Sequence, residues 1–183
     1  MFMSILDKAI AAITPPESEE DRLAARAKAE NMAEPGDWLF QILDHHREIE
    51  AQFAALKAAT SADARRAGQE KLAELLTAHS IAEEAAVYPA MAAHAQVGHA
   101  ELAYQEQSAA KKELGLLERL DPMSEDYSDK LEHIEGAVAH HVYSEEGTWF
   151  IDLAQSAPDD EQDKISERYH QEYDRYISGA INS

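Results

Sequence analysis

Cysteine is absent from all 183 residues, which removes disulfides, iron–sulfur clusters and thiolate zinc sites from consideration. Glycine and proline are scarce, with 7 and 6 copies, and strand-like runs of Val, Ile and Thr are missing. No segment approaches the roughly 18 consecutive apolar residues of a membrane-spanning helix. Positive charge is also short: 16 Lys and Arg face 36 Asp and Glu, for a net charge of −20. Nucleic acid and anionic membranes both require cationic patches, so neither is expected as a partner. The opening stretch MFMSILDKAIAAIT has no basic n-region and is interrupted by Asp7 and Lys8. It reads as a poor secretion signal, and a cytoplasmic protein is the expectation.

What is present is helical. Alanine makes up almost a fifth of the chain, and 45% of residues are hydrophobic, a composition suited to one soluble all-α domain with its own core. Breaks fall at Thr14-Pro15-Pro16, Pro35-Gly36, near Thr60 to Asp63, around Gly98, at Asp121-Pro122 and at Ala157-Pro158. They leave four long segments at 38–59, 64–94, 99–120 and 125–153, with two shorter ones before and one, 159–180, after. Asp63 and Asp121 are candidate caps or turn residues for the elements after them, and Pro89 is expected to bend or end the second long helix.

Each long segment carries a stripe at alternating spacings of three and four. The first is Leu39, Ile42, His46, Ile49, Phe53 and Leu56; the second is Leu72, Leu75, His79, Glu83, Ala86 and Ala90. The third is Ala103, Gln107, Ala110, Leu114 and Leu117, and the fourth is Leu131, Ile134, Val138, His141, Glu145 and Thr148. Such spacing is the seam of helices packed near 20°, and the short connections favour neighbours of opposite direction. The expectation is an antiparallel up-down-up-down four-helix bundle over 35–155. A helical extension would precede it over 1–34, and a C-terminal helix over 156–183 would pack on the bundle or on a partner chain, which admits a homodimer.

Those stripes hold His46, His79, Glu83, Gln107, His141 and Glu145 where a bundle normally places leucine. Burying such groups costs several kcal/mol each unless they are paired or bound to metal. Phase selects His46 over His45 and His141 over His140, since adjacent residues lie about 100° apart around a helix. His79 and Glu83 project from one face about 6 Å apart along the axis. His141 and Glu145 repeat the pair 62 residues later, within a longer likeness of AHSIAEEAAVY to HHVYSEEGTWF. His46 precedes His79 by 33 residues and Gln107 precedes His141 by 34, so the two halves correspond. Imidazole with carboxylate suits iron or manganese, with zinc a further candidate. Two such pairs plus a further histidine exceed what one tetrahedral ion uses, so a dinuclear centre fits better. A single His-x-x-x-Glu would mean little in so acidic a chain: His46/Glu50 and His170/Asp174 show similar spacing and read as surface pairs.

LDHHREIE around His46, LTAHSIAEEAAVYPAM around His79 and Glu83, and HVYSEEGTWF around His141 and Glu145 together resemble the hemerythrin-like, HHE cation-binding family over residues 38–153. The resemblance implies a four-helix bundle holding a non-haem diiron site. Such a site meets dioxygen, peroxide or nitric oxide; the alternative is a non-catalytic iron-binding or iron- and oxygen-sensing module. In that family the third helix contributes a histidine in a Glu-His context, and here Glu106-Gln107 stands in its place. Three outcomes follow: an open position, recruitment of Glu106 or a group such as Tyr104, or one ion held well and the second poorly. Glu84 and Glu146 follow the ligand glutamates off the stripe and are either partners that orient histidines or solvated carboxylates. Phe2, Ile5, Leu6, Ala9, Ile10 and Ile13, and likewise Ile165, Tyr169, Tyr173, Tyr176, Ile177 and Ala180, form apolar faces of the flanking helices. His94, His99 and His133 read as surface residues.

Overall fold

A computed structural model describes residues 17–181. The N-terminal apolar face over 2–13 lies outside these residues, as does the side chain of Ala180. The described residues form helices and connecting turns, with no strand among them. In chain order they are α1 (Glu19–Glu30), α2 (Trp38–Ala58), α3 (Ala62–Ala93), α4 (Val97–Leu117) and α5 (Glu125–Ser144). A π-helical turn, Glu145–Trp149, continues α5 into α6 (Phe150–Ser156), and α7 (Asp159–Ile181) is the last described helix. No helix among the described residues is long and apolar enough to cross a membrane.

Serine or aspartate sets the start of four of the helices. Ser18, Asp37, Ser61 and Ser124 each accept a hydrogen bond from a backbone N–H of the first turn, satisfying donors that the helix itself leaves unpaired. Ser61 and Ser124 are the caps, so of the two roles expected for Asp63 and Asp121 the cap is not the one seen. Ser61 precedes the first helical residue directly, which puts Asp63 inside the first turn. Asp121 takes the turn role expected of it, accepting from the Met123 amide in the turn around Pro122.

Pro89 lies inside α3, which runs on to Ala93, so of its two expected outcomes ending the helix is not the one seen. One further expectation is corrected. The break expected around Gly98 falls at 94–96: Gly98 lies in the first turn of α4, and Ala95 turns the chain at φ 63°. The Gln96 amide then reaches back to the Met91 carbonyl at 2.9 Å, a Schellman-type closure in which alanine takes the left-handed place usually given to glycine.

The sequential neighbours α2 and α3, α3 and α4, and α4 and α5 pack on one another. Their stripes form two apolar clusters. One gathers Trp38, Ile42, Tyr88, Met91, Phe150 and Tyr169; the other gathers Phe53, Leu72, Leu114, Tyr127 and Ile134. Between these clusters along α2 lies His46, fully buried. Helix α7 lies along α3 and α2, and its Ser166 Oγ accepts from the Trp38 amide at 2.9 Å. Helix α1 packs over the π turn, with Ala25 and Ala29 buried.

Candidate metal centre

Alternating spacing carries His46 from α2, His79 and Glu83 from α3, Gln107 from α4, and His141 from α5 into the interior; Glu145 joins them from the π turn. One ligand atom from each of His46, His79, Glu83 and Glu145 lies within 4.8 Å of the others. Nε2 of His79 is 3.2 Å from Glu83 Oε2, and Nε2 of His46 is 3.4 Å from Glu145 Oε2. Nε2 of His141 lies 3.1 Å from the other oxygen, Glu145 Oε1. Glu145 therefore stands between His46 and His141 with one oxygen towards each. Gln107 donates from its amide nitrogen to Glu83 Oε2. Glu106 is outside this group: its carboxylate lies 2.8 Å from Nδ1 of His141. His140 faces outward to Glu17, and Tyr104 donates to the Glu84 carbonyl from an exposed position.

Glu146, in the histidine-orienting one of its two expected roles, and two tyrosines outside the expected set complete the surroundings. Glu146 is buried, with Oε1 2.8 Å from Nδ1 of His46, and Arg26 of α1 pairs with both Glu146 and Glu50. The π turn explains the burial. Widening the helix by one residue turns Glu146 and Trp149 inward and leaves Thr148 exposed, contrary to the expected stripe. In the regular helix α3 the matching residue, Glu84, stays at the surface and pairs with Lys111. Tyr169 of α7 places its hydroxyl 2.7 Å from Nδ1 of His45 and 3.0 Å from Nδ1 of His79. Tyr88 reaches Glu83, Glu145 and His141 with its phenol oxygen. The internal repeat sets Tyr88 opposite Phe150 as an aromatic pair, but nothing in a helical period marks it as facing the centre.

Burial and charge sort the protons. Burial, seconded by the charge on His46, pushes the His79 pKa well below the usual histidine range. Burial also lowers His45, to about 4. Neutral His45 can accept the Tyr169 hydroxyl proton; Tyr169 then accepts from Nδ1–H of His79, and the lone pair on His79 Nε2 is left aimed into the site. Burial opposes charge on His46, yet the carboxylates of Glu145 and Glu146 beside it outweigh burial and raise His46 to about 9. Burial likewise opposes charge on His141, but Glu145 and Glu106 raise it well above its usual value. Burial together with the charge of Glu145 pushes Glu83 up to about 8. Glu145 is itself buried, but His141 and His46 hold it well below the usual carboxylate range.

This constellation fits a cation by its unmet valences. His46 Nε2, Glu83 Oε1, Gln107 Oε1 and Glu145 Oε2 are all buried without a hydrogen-bond partner. An orphaned buried polar atom costs about 1–3 kcal/mol, and four in one place are explained together by ions that accept their lone pairs. Imidazole and carboxylate donors without sulfur suit iron and manganese.

Fold and site thus define a helical protein with a buried His/Glu centre able to hold metal. The sequence profile of the hemerythrin HHE cation binding domain matches residues 39–151, and the chain belongs to that family. Among curated proteins, a DNA nickase of Nostoc sp. strain PCC 7120 is 33% identical over 75 residues, 41% of this chain and 21% of that protein. The match spans about a fifth of the relative's length. No solved structure matches the chain at a comparable level of significance.

Proposed function

We propose that the chain is a non-haem iron protein of the cytoplasm. Its His/Glu centre, of two ions in the full state, would react with dioxygen, peroxide or nitric oxide. The observation that carries this reading is the buried group His46, His79, Glu83 and Glu145 with its unpartnered ligand atoms. Sequential packing of α2 to α5 favours the up-down-up-down order for the same four helices. Iron, when bound, would supply reversible one-electron chemistry and a coordination position for a small ligand.

The chain's own residues would prepare that position. Glu145, with an oxygen towards each of His46 and His141, would hold metal together with both. Glu146 would fix the ring of His46, and Tyr169 that of His79. A cleft of about 540 Å³ between α1 and the bundle, lined by Arg26, Ile49, Phe53 and Val142, leads to His46 and would admit a diatomic molecule or peroxide. The partial likeness to a DNA nickase does not extend to a nucleic-acid role here, because a net charge of −20 opposes a polyanion.

Elemental analysis of protein expressed in iron-replete cells, with peroxide consumption followed on the same samples, tests the reading. Iron at up to two per chain with turnover supports it, and His79→Ala should abolish both. Tight iron without turnover, with iron-dependent stability, would favour a sensing or storage module. A chain that takes up no metal after reconstitution would refute either form.

A further inference from the structure

The phenol oxygen of Tyr88 is the point on which the His141 side of the centre converges. It lies 3.0 Å from Glu83 Oε2, 2.9 Å from Glu145 Oε1 and 3.3 Å from His141 Nε2, in a residue with no solvent exposure. A phenol has a single proton to donate, so it cannot donate to all three neighbours at once. On this side the centre has one imidazole, whereas His46 and His79 serve the other. Gln107, which the internal repeat aligns with His46, brings an amide that is already turned to Glu83 and an oxygen with no partner. The reach is within helix geometry: five residues separate Glu83 from Tyr88, about 7.5 Å of rise, and long helical side chains lean back towards the N-terminus.

We propose that Tyr88 is a metal ligand whose phenolate completes the His141 side of the centre, in the place that glutamine at 107 leaves weak. The assignment rests on the reading of the cluster as an iron site. A phenolate is a hard anionic oxygen donor of the kind that holds ferric iron, and it adds a negative charge that an amide cannot. On binding, the O–H bond breaks and its proton passes to water, while a lone pair on the oxygen goes to the metal. No electron is transferred.

Iron-loaded, air-oxidised wild type should therefore be compared with Tyr88→Phe and Tyr104→Phe by elemental analysis, visible absorption and resonance Raman scattering. Wild type and Tyr104→Phe should show a visible phenolate-to-ferric charge-transfer band with enhanced phenolate ring modes. Tyr88→Phe should retain iron and lose both signals. Ferric wild type without phenolate modes, or with modes that persist in Tyr88→Phe, overturns the assignment while leaving the iron site standing. A wild type that binds no iron overturns both. If Tyr88→Phe fails to fold, ring-deuterated tyrosine in wild type, Tyr104→Phe and Tyr169→Phe decides: enhanced modes must be present, must shift on labelling and must persist in both variants.

Discussion

Glu146 accepts a hydrogen bond from Nδ1 of His46 across 2.8 Å of buried space, which fixes the ring so that Nε2 faces Glu145. Arg26 holds the same carboxylate from the far side and is itself raised above its ordinary pKa by Glu50 and Glu146. Outer contacts of this kind typically change metal affinity by about 10–100-fold. Glu146→Gln keeps an acceptor but removes the charge that steadies the imidazole. The expected result is a fall in metal affinity of about tenfold, read by chelator competition, with the helical content unchanged in circular dichroism.

Proton placement predicts how stability responds to pH. His46 is raised from 6.5 to about 9, and His141 is raised as well. Their protons favour the folded state fully below pH 6.5, and that contribution is lost as pH rises through the folded values. Glu83 is raised from 4.5 to about 8, so its ionisation also disfavours the fold as pH rises. Glu145, held low, acts in the opposite sense: it stabilises above pH 4.5 and loses that effect on acidification through its folded value. The metal-free chain should therefore lose thermal stability between about pH 6.5 and 9. A cation takes the place of the protons on His46, His141 and Glu83, so the metal-loaded chain should be nearly flat over that interval. Thermal melts of chelator-treated and reloaded protein across pH check this. A gap between the two that narrows as pH rises would contradict it.

The turn between α3 and α4 offers a test of the backbone alone. Ala95 sits at φ 63°, where a Cβ costs about 1–2 kcal/mol relative to glycine. Ala95→Gly should raise stability, by up to about 1 kcal/mol once the greater freedom of glycine in the unfolded chain is deducted. A denaturant titration measures it.

That turn also marks where sequence reading succeeds and where it stops. The stripes through His46, His79, Glu83, Gln107, His141 and Glu145 are legible because a regular helix repeats every 3.6 residues, and all six side chains are buried. Thr148 and Glu146 exchange places because a π turn adds a residue to one helical turn, and no local composition announces that insertion. Tyr88 lies about 140° around the helix from Glu83 and reaches the centre by its length. Tyr169 comes from a helix outside the expected bundle, so its contact with His79 is a tertiary fact. Gly98 drew attention as a breaker, but the chain reverses three residues earlier.

Gln107 is the residue at which the two halves of the internal repeat differ most in chemistry. Its position on α4 is buried, its nitrogen is committed to Glu83, and its oxygen has no partner. An imidazole is nearly as bulky as this side chain and brings a far better donor than a neutral amide. Gln107→His should therefore strengthen binding of the second ion by about tenfold or more, seen as a steeper second step in an anaerobic ferrous titration. Binding at His46 should be little changed, since its ring faces Glu145 and Glu146 and makes no hydrogen bond to Gln107 or Glu83. If Tyr88 already serves the His141 side, the new histidine would also alter the phenolate charge-transfer band. A second step that weakens, with the helical content intact, would show that the amide's hold on Glu83 matters more to the centre than the donor it lacks.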